Sequence, residues 1–400
     1  MFAPPAPYSV LFSPRETALA DMNADGFLDA VVVDGANTVS VLLNNGDGTL
    51  AAKVDYATGG TTGRGCTAGD VNGDFFPDVV VTNIVSDNIS VLINNGDGTL
   101  ASPVIYGAGD GPWHVALAPM DVGDSLDIVV ANNIGDSVSV LLNNGDGTFA
   151  ADVVYPAGNG PKPVELHDLD GDGDRDVVAA NRFSSDVSVY MNNGDGTLAP
   201  QTLYPCGGSA EDAVVADLNG DLVPDIATAN FSSPTAGVLI NAGDGTFLPV
   251  STFASGLGPS SIAAGDLNAD GAADLIVTDD ISAVGIHLNN GDGTFAARVP
   301  YTTGSSPIDV QIGDLNNDGA NDAVVINQNV FQITVSLGQC ASAPCLADCD
   351  GNGALNVDDV DCFVAGFLAS DLATADCDGN GALNVDDVDC FVASFLSGCP

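Results

Sequence analysis

The chain has 400 residues, 45% of them apolar, enough for a sizeable core, and its 54 Asp and Glu against 7 Lys and Arg give a formal net charge of −47. With no basic stripe to displace counterions from phosphates, the composition argues against nucleic acid and against anionic membrane surfaces as partners. No run of 18 apolar residues occurs, so no membrane-spanning helix is expected.

The opening MFAPPAPYSV lacks a basic n-region and an apolar h-region, so no signal peptide is visible there, whether through removal of a leader or through truncation. From residue 21 the chain is periodic. The pattern D-x-[DN]-x-D-x-x-x-D, followed by a short apolar run, begins at Asp21, Asp70, Asp168, Asp217, Asp266 and Asp314. A further copy fits with Pro119 in its first position, so the spacings are 49 residues five times and then 48. Within each copy a short apolar stretch such as Val214-Val215-Ala216 leads into the acidic loop. An apolar strand follows (Asp176 to Ala180), then a polar loop and a second strand (Val187 to Met191). Next come the turn Asn192-Asn193-Gly194-Asp195-Gly196-Thr197 and a last strand ending in an aromatic, Leu203-Tyr204. β-Branched runs broken by Asn-Gly and Asp-Gly turns are hairpin signals, and four strands per repeat at this period predict a propeller blade. The fold class expected is mainly β, a seven-bladed propeller over residues 1–339. Blade seven stops at Val335-Ser336-Leu337-Gly338 without its outer strand, and Phe2 to Tyr8 matches Phe295 to Tyr301. The N-terminus is therefore expected to supply that strand and close the ring, which removes exposed sheet edges.

The repeats resemble the FG-GAP/VCBS family, found in the heads of integrin α-subunits and in many secreted bacterial proteins. The resemblance implies a seven-bladed propeller with calcium in the loop joining the first two strands of a blade. The chemistry agrees, because a hard cation wanting six to eight oxygens is served by closely spaced carboxylates in a tight loop. The side chains concerned are Asp21, Asn23, Asp25 and Asp29; Asp70, Asn72, Asp74 and Asp78; Asp168, Asp170, Asp172 and Asp176. They continue as Asp217, Asn219, Asp221 and Asp225; Asp266, Asn268, Asp270 and Asp274; Asp314, Asn316, Asp318 and Asp322. Blade three, with Pro119, Asp121, Gly123 and Asp127, has lost two ligands and is expected to hold no ion. The sixth loop position is Gly in blades one, four, six and seven but Phe75 and Leu222 in blades two and five, where a positive φ would be strained. The Asn-Asn-Gly-Asp-Gly-Thr turns are read as hairpin turns with Asx hydrogen bonds.

After Gly338 the composition changes, with seven of the nine Cys and no Lys or Arg, and a linker at 340–347 leads into the last segment. Asp348, Asp350, Asn352, Asn356 and Asp359 recur 28 residues later as Asp376, Asp378, Asn380, Asn384 and Asp387, each set followed by the same apolar helical pattern. These are oxygens at positions 1, 3, 5, 9 and 12 of an EF-hand loop with Gly at position 6. The segment 348–400 resembles a type I dockerin, a small α-helical calcium module, which implies a cohesin-like or other extracellular protein partner. Its positions 10 and 11 hold Val357-Asp358 and Val385-Asp386 rather than hydroxyl pairs, a departure from cellulosomal dockerins. Use as a terminal cap is the alternative. The cysteines suggest disulfides of open connectivity, whereas Cys66 and Cys206 lie in different blades and are not expected to pair.

The position six residues before each acidic loop holds Arg15, Arg64, Trp113, Lys162, Glu211, Ser260 and Ile308, on the face away from those loops. With His114, Asn132, Asn181 and Arg182 nearby, this column is either a ligand site centred on Trp113 and Lys162 or a variable loop column of chance composition. The expectation is a secreted or cell-surface, non-catalytic binding or adhesion module holding about eight calcium ions, with a glycan or protein ligand. The alternatives are an extracellular structural or assembly protein and a polysaccharide-degrading hydrolase or lyase. Against the last, His114, His167 and His287 occupy different repeat positions.

Overall fold

The computed structural model describes residues 2–279 and 282–338. The chain divides into two units, Met1–Gly338 and Gln339–Pro400, and the dockerin-like loops lie outside the described residues.

Seven four-stranded antiparallel sheets follow one another in sequence order, each strand paired with the next. In blade one the strands are Pro14–Ala20, Asp29–Asp34, Thr38–Leu42 and Val54–Ala57. In blade four they are Pro161–His167, Asp176–Asn181, Asp186–Tyr190 and Thr202–Pro205, within a residue of the apolar runs read from the sequence. The second strands are buried along their whole length because both faces of a blade are covered by neighbours. Alternation then assigns side chains to two different cores. Val31 and Val33 pack with Cys66, Val79 and Val81 of blade two, while Ala30 and Val32 pack with Val324, Ile326 and Ile333 of blade seven. Every described core has this character, being shared by two adjacent blades.

The ring closes as the sequence predicts. Ala6–Ser9 pairs antiparallel with Gln332–Ser336 and becomes the outer strand of blade seven, with Tyr8 opposite Ile333. Phe2 bridges Gly338, and the Tyr301 hydroxyl of blade six donates to the Ala3 carbonyl, so the terminal strand is fixed from two blades.

One irregularity positions the candidate site. In blades one, three, five and seven the inner strand skips a residue in its pairing to the second strand, between Pro14 and Glu16, Pro112 and His114, Ala210 and Asp212, and Pro307 and Asp309. Comparable shifts occur at 63/66 and 161/164. The residues passed over include Arg15, Arg64, Trp113, Lys162, Glu211 and Ile308, six members of the column identified by alignment. A bulge re-aims a side chain. Here the bulges place this column on the central cavity.

Deleting Met1 to Tyr8 is expected to expose the Gln332–Ser336 edge, to promote aggregation relative to the parent and to lower the melting temperature. Size-exclusion chromatography with a thermal melt checks this, and an unchanged profile and melt would show that closure does not depend on the strand.

Candidate functional site

The acidic loops are built from their own carboxylates. In blade two, Asp70 accepts the Gly73 N–H at 2.7 Å on one oxygen and the Phe75 N–H at 2.7 Å on the other, while the Asn72 side-chain oxygen accepts the Asp74 N–H at 2.9 Å. The loops headed by Asp21, Asp217, Asp266 and Asp314 repeat this winding. Phe75 (φ 73°) and Leu222 (φ 69°) adopt the positive φ of the glycines they replace, so blades two and five wind as the others do and carry the strain. In blade four, oxygens of Asp168, Asp170 and Asp176 lie within 4.8 Å of one another.

The ninth position has a second role. Asp29 is fully buried; one oxygen accepts the Met22 N–H at 2.8 Å and the other the Asn44 N–H at 2.6 Å. The same two bonds recur at Asp78, Asp176, Asp225, Asp274 and Asp322, with Gly338 in place of Asn in the last. They recur also at Asp127, in the blade that lacks the acidic set. The residue therefore ties the loop to the third strand whether or not the other oxygens are present. Burial pushes the carboxyls of Asp29, Asp78, Asp176, Asp225 and Asp322 up to about 6, and the neighbouring loop aspartates add to the effect. Carboxylates crowded around a buried one form an oxygen-rich donor set that could hold a hard divalent cation.

The turns behave as hairpin turns, and their first Asn does more. Asn94 donates from its amide to Pro77 O in its own blade and to Met22 O in the preceding one, while its oxygen accepts from Gly96 and Gly98. Asn44, Asn143, Asn192, Asn241 and Asn289 make the same bridge to the blade before. Blade seven has no such Asn, and there the Asn321 amide donates instead to Asp266 O of blade six.

On the opposite face the bulged residues converge on a cavity of about 490 Å³ along the propeller axis. Of the six ligand-binding candidates, Trp113, His114, Lys162 and Arg182 line it, and Asn132 and Asn181 do not. Both amides are fully buried within their blades, Asn132 donating to Ser137 and Ser139 and Asn181 to Asp186 and Ser188. They hold the second strand to the third. Trp113 is not an open platform either, because the Arg64 guanidinium lies 3.9 Å and the Lys162 ammonium 4.4 Å from its ring centre. Lys162 and Arg182 both pair with Glu211, the latter at 2.9 Å. Burial brings the Lys162 amine down to about 8 despite that partner. His114 accepts the Val164 N–H of blade four on Nδ1 at 3.2 Å, and its Nε2 lies 3.4 Å from Glu16, so it too is engaged.

That last bond belongs to a pattern missed in the sequence. The residue five before each loop accepts an N–H from the next blade in five cases: Glu16 from Cys66, His114 from Val164, Asp212 from Ile262, Ser261 from Val310 and Asp309 from Thr17. The inner strand is a sheet edge whose free N–H groups need acceptors. Aligning the fifth column beside the sixth would have revealed these side chains, although not their direction. Burial in the cavity pushes Asp212 up to about 7 and Asp309 to about 6, and Glu16 well above the usual carboxylate range.

Two outcomes follow. Asp127→Ala removes two acceptors from buried N–H groups and should destabilise by about 2–4 kcal/mol, equally in calcium and in chelator, measured by urea unfolding of the propeller. Dependence on calcium would assign Asp127 to an ion rather than to the backbone. For Asp212 the folded carboxyl at about 7 stands above an unfolded value near 3.9. Its contribution to stability is complete below about pH 4 and is lost as pH rises through about 7. Asp212→Asn keeps an acceptor for the Ile262 N–H without the charge, and its loss of the second acceptor, to the Ala213 N–H, is independent of pH. Relative to the parent, it should gain on the order of 1–2 kcal/mol between pH 4 and pH 8, solvent screening in the open cavity included. A pH-independent difference between the two proteins would refute this.

Comparison with known proteins agrees with the architecture. The FG-GAP-like repeat family matches residues 21–81, 124–179, 168–228, 217–277 and 266–325. The unmatched stretch, 82–123, runs from the later strands of blade two into the degenerate loop of blade three. No curated protein matches the chain. Among solved structures, an Agrocybe aegerita lectin described as recognising non-reducing terminal N-acetylglucosamine is 23% identical, with a TM-score of 0.54 over 74% of this chain and 81% of the lectin. BBS1N, solved in complex with ARL6DN, is 11% identical with a TM-score of 0.62 over 85% and 98%. Virginiamycin B lyase from Staphylococcus aureus is 13% identical with a TM-score of 0.60 over 84% and 99%. At these identities the likeness is one of fold. The repeats, their loops and their closure into seven blades together place this chain in the FG-GAP-like repeat family.

Proposed function

We propose that the chain is a secreted, calcium-stabilised and non-catalytic binding module that meets a glycan or protein ligand on the face away from its acidic loops. The observation that carries this reading is the separation of chemistry between the two faces. Six loops crowd carboxylates around a buried aspartate on one face, and four of the seven basic side chains gather in the cavity of the other. Loops set on a rigid scaffold are where binding is built. Residues 348–400 would attach the module to a cohesin-like or other extracellular partner.

A non-catalytic role is supported by how the cavity groups are used. Glu16, His114, Asp212 and Asp309 accept backbone N–H groups, and His287 is buried in blade six against Phe253 and does not line the cavity.

Metal analysis of the dialysed full chain should find about eight calcium ions, six from the propeller loops and two from the C-terminal pair. Chelation should lower the melting temperature strongly, since each ion present at a hundred times its Kd adds about 2.7 kcal/mol to the native state. Two ions or fewer would overturn the calcium reading. A glycan and protein array probed with the propeller tests binding, and a calcium-loaded protein that retains nothing would favour a purely structural role.

A further inference from the structure

Cations are scarce in this chain, and the cavity holds four of them, Arg15, Arg64, Lys162 and Arg182. Glu211 pairs with both Lys162 and Arg182. Arg15 and Arg64 are different. They occupy equivalent bulged positions in adjacent blades, and among the described residues neither takes part in an ion pair or donates a hydrogen bond. The Nε atom of each is buried and unpartnered. A buried donor without an acceptor is costly, and so are neighbouring like charges. Burial first and the Arg15 charge second bring the Arg64 guanidinium down to about 10. Glu16, Glu211 and Asp309 act on Arg64 through charge, but among the described residues none forms an ion pair or hydrogen bond with it. Arg64 is instead steadied by the Trp113 ring at 3.9 Å, which orients the guanidinium without using its donors.

We propose that Arg15 and Arg64 form an anion site at the axial cavity whose ligand is a carboxylate carried on a polar, sugar-sized molecule, a hexuronate being the simplest example. This deepens the binding function proposed above and relies on it only for the face concerned. The guanidinium fork matches a planar carboxylate in bidentate geometry. The cavity, about 490 Å³, suits a ligand of one or two sugar rings, and Ser260, Gln311 and Gln328 on its wall offer partners for hydroxyl groups. Charge selects further. A phosphate dianion would set a second negative charge near Glu165, Glu211 and Asp309. A single carboxylate meets the two unpaired cations at the least electrostatic cost.

The test uses the calcium-loaded full chain at constant ionic strength. Its one Trp is Trp113, against Arg64, so tryptophan emission reports on this site, and calorimetry provides a second readout. Sodium glucuronate should give a saturable signal, with glucose and inorganic phosphate at least about tenfold weaker. By calorimetry, Arg64→Gln and Arg15→Gln should each weaken glucuronate by about tenfold or more. Both variants should melt close to the parent temperature, since no protein hydrogen bond is lost; Arg15→Gln, away from the Trp ring, serves if Arg64→Gln fails to fold. An equal response to glucose, a response confined to phosphate, or no saturable glucuronate signal by about 50 mM would each overturn the anion site. None of these results would touch binding of other ligands on the array, so the two proposals fail separately.

Discussion

Each blade has two apolar faces and no core of its own, so the stability of every sheet depends on the sheet to either side. A sheet with both faces apolar is stable only when both are covered. A row of such sheets leaves an uncovered face at each end, and a ring leaves none. This is why the pairing of Ala6–Ser9 with Gln332–Ser336 matters beyond its four residue pairs. It holds blade seven in the shape that blade one packs against, through Leu315, Val324 and Ile326 on one side and Ala30 and Val32 on the other. Closure makes seven weakly independent units into one cooperative body.

Apolar faces are not specific about register, since Val against Val slides at little cost. Register comes from buried polar bonds at both ends of each interface. At the acidic-loop end, the first Asn of the turn reaches the preceding blade, as Asn94 does to Met22 O, while the ninth-position aspartate fixes that Asn to its own loop through the backbone. At the axial end, side chains such as Asp309 and Asp212 reach the following blade. All are satisfied hydrogen bonds, which fix one arrangement because any slip would orphan a buried group. Where the Asn is missing, at blade seven, Gly338 lies so close to Asn321 that a Cβ would sit 2.3 Å from its carbonyl oxygen, and the Asn321 amide makes the bridge instead.

The repeat made the architecture legible, because period, turn chemistry and acidic loops recur in register and each constrains the others. The missing outer strand of blade seven was visible for the same reason. The axial site was only half legible. Alignment could gather Arg15, Arg64, Trp113 and Lys162 into one column, since residues at one repeat position share one place in the ring. It could not show that Glu211 takes Lys162 and Arg182, nor that Trp113 lies beneath Arg64 and Lys162, because pairing across blades depends on side-chain direction at a bulge. Asn132 and Asn181 were misread because an amide after a strand looks alike whether it faces solvent or, as here, the hydroxyls of the next strand. Asp127 carried a signal that was undervalued: an aspartate kept in a loop that has lost its companions is retained for something other than a cation.

The six intact loops place nineteen carboxylates at positions one, three, five and nine, and the only basic residue within them is Arg175. Elsewhere the cations are engaged locally, Lys53 with Asp55 and Arg298 with Asp279, or lie in the axial cavity. The protein thus neutralises almost none of its loop charge internally, although a few lysines at exposed loop positions would have done so at no cost to the core. The ninth-position carboxyls are held up near 6 by burial first, and the neighbouring loop aspartates add to it. A fold that keeps its cations from the loops while crowding carboxylates there has the donor set on which the proposed calcium dependence rests. On the opposite face four cations lie among the carboxylates of the cavity wall, and what a small anion would meet there is set by its nearest neighbours, since at physiological ionic strength the field of the distant loops is screened beyond about 8 Å.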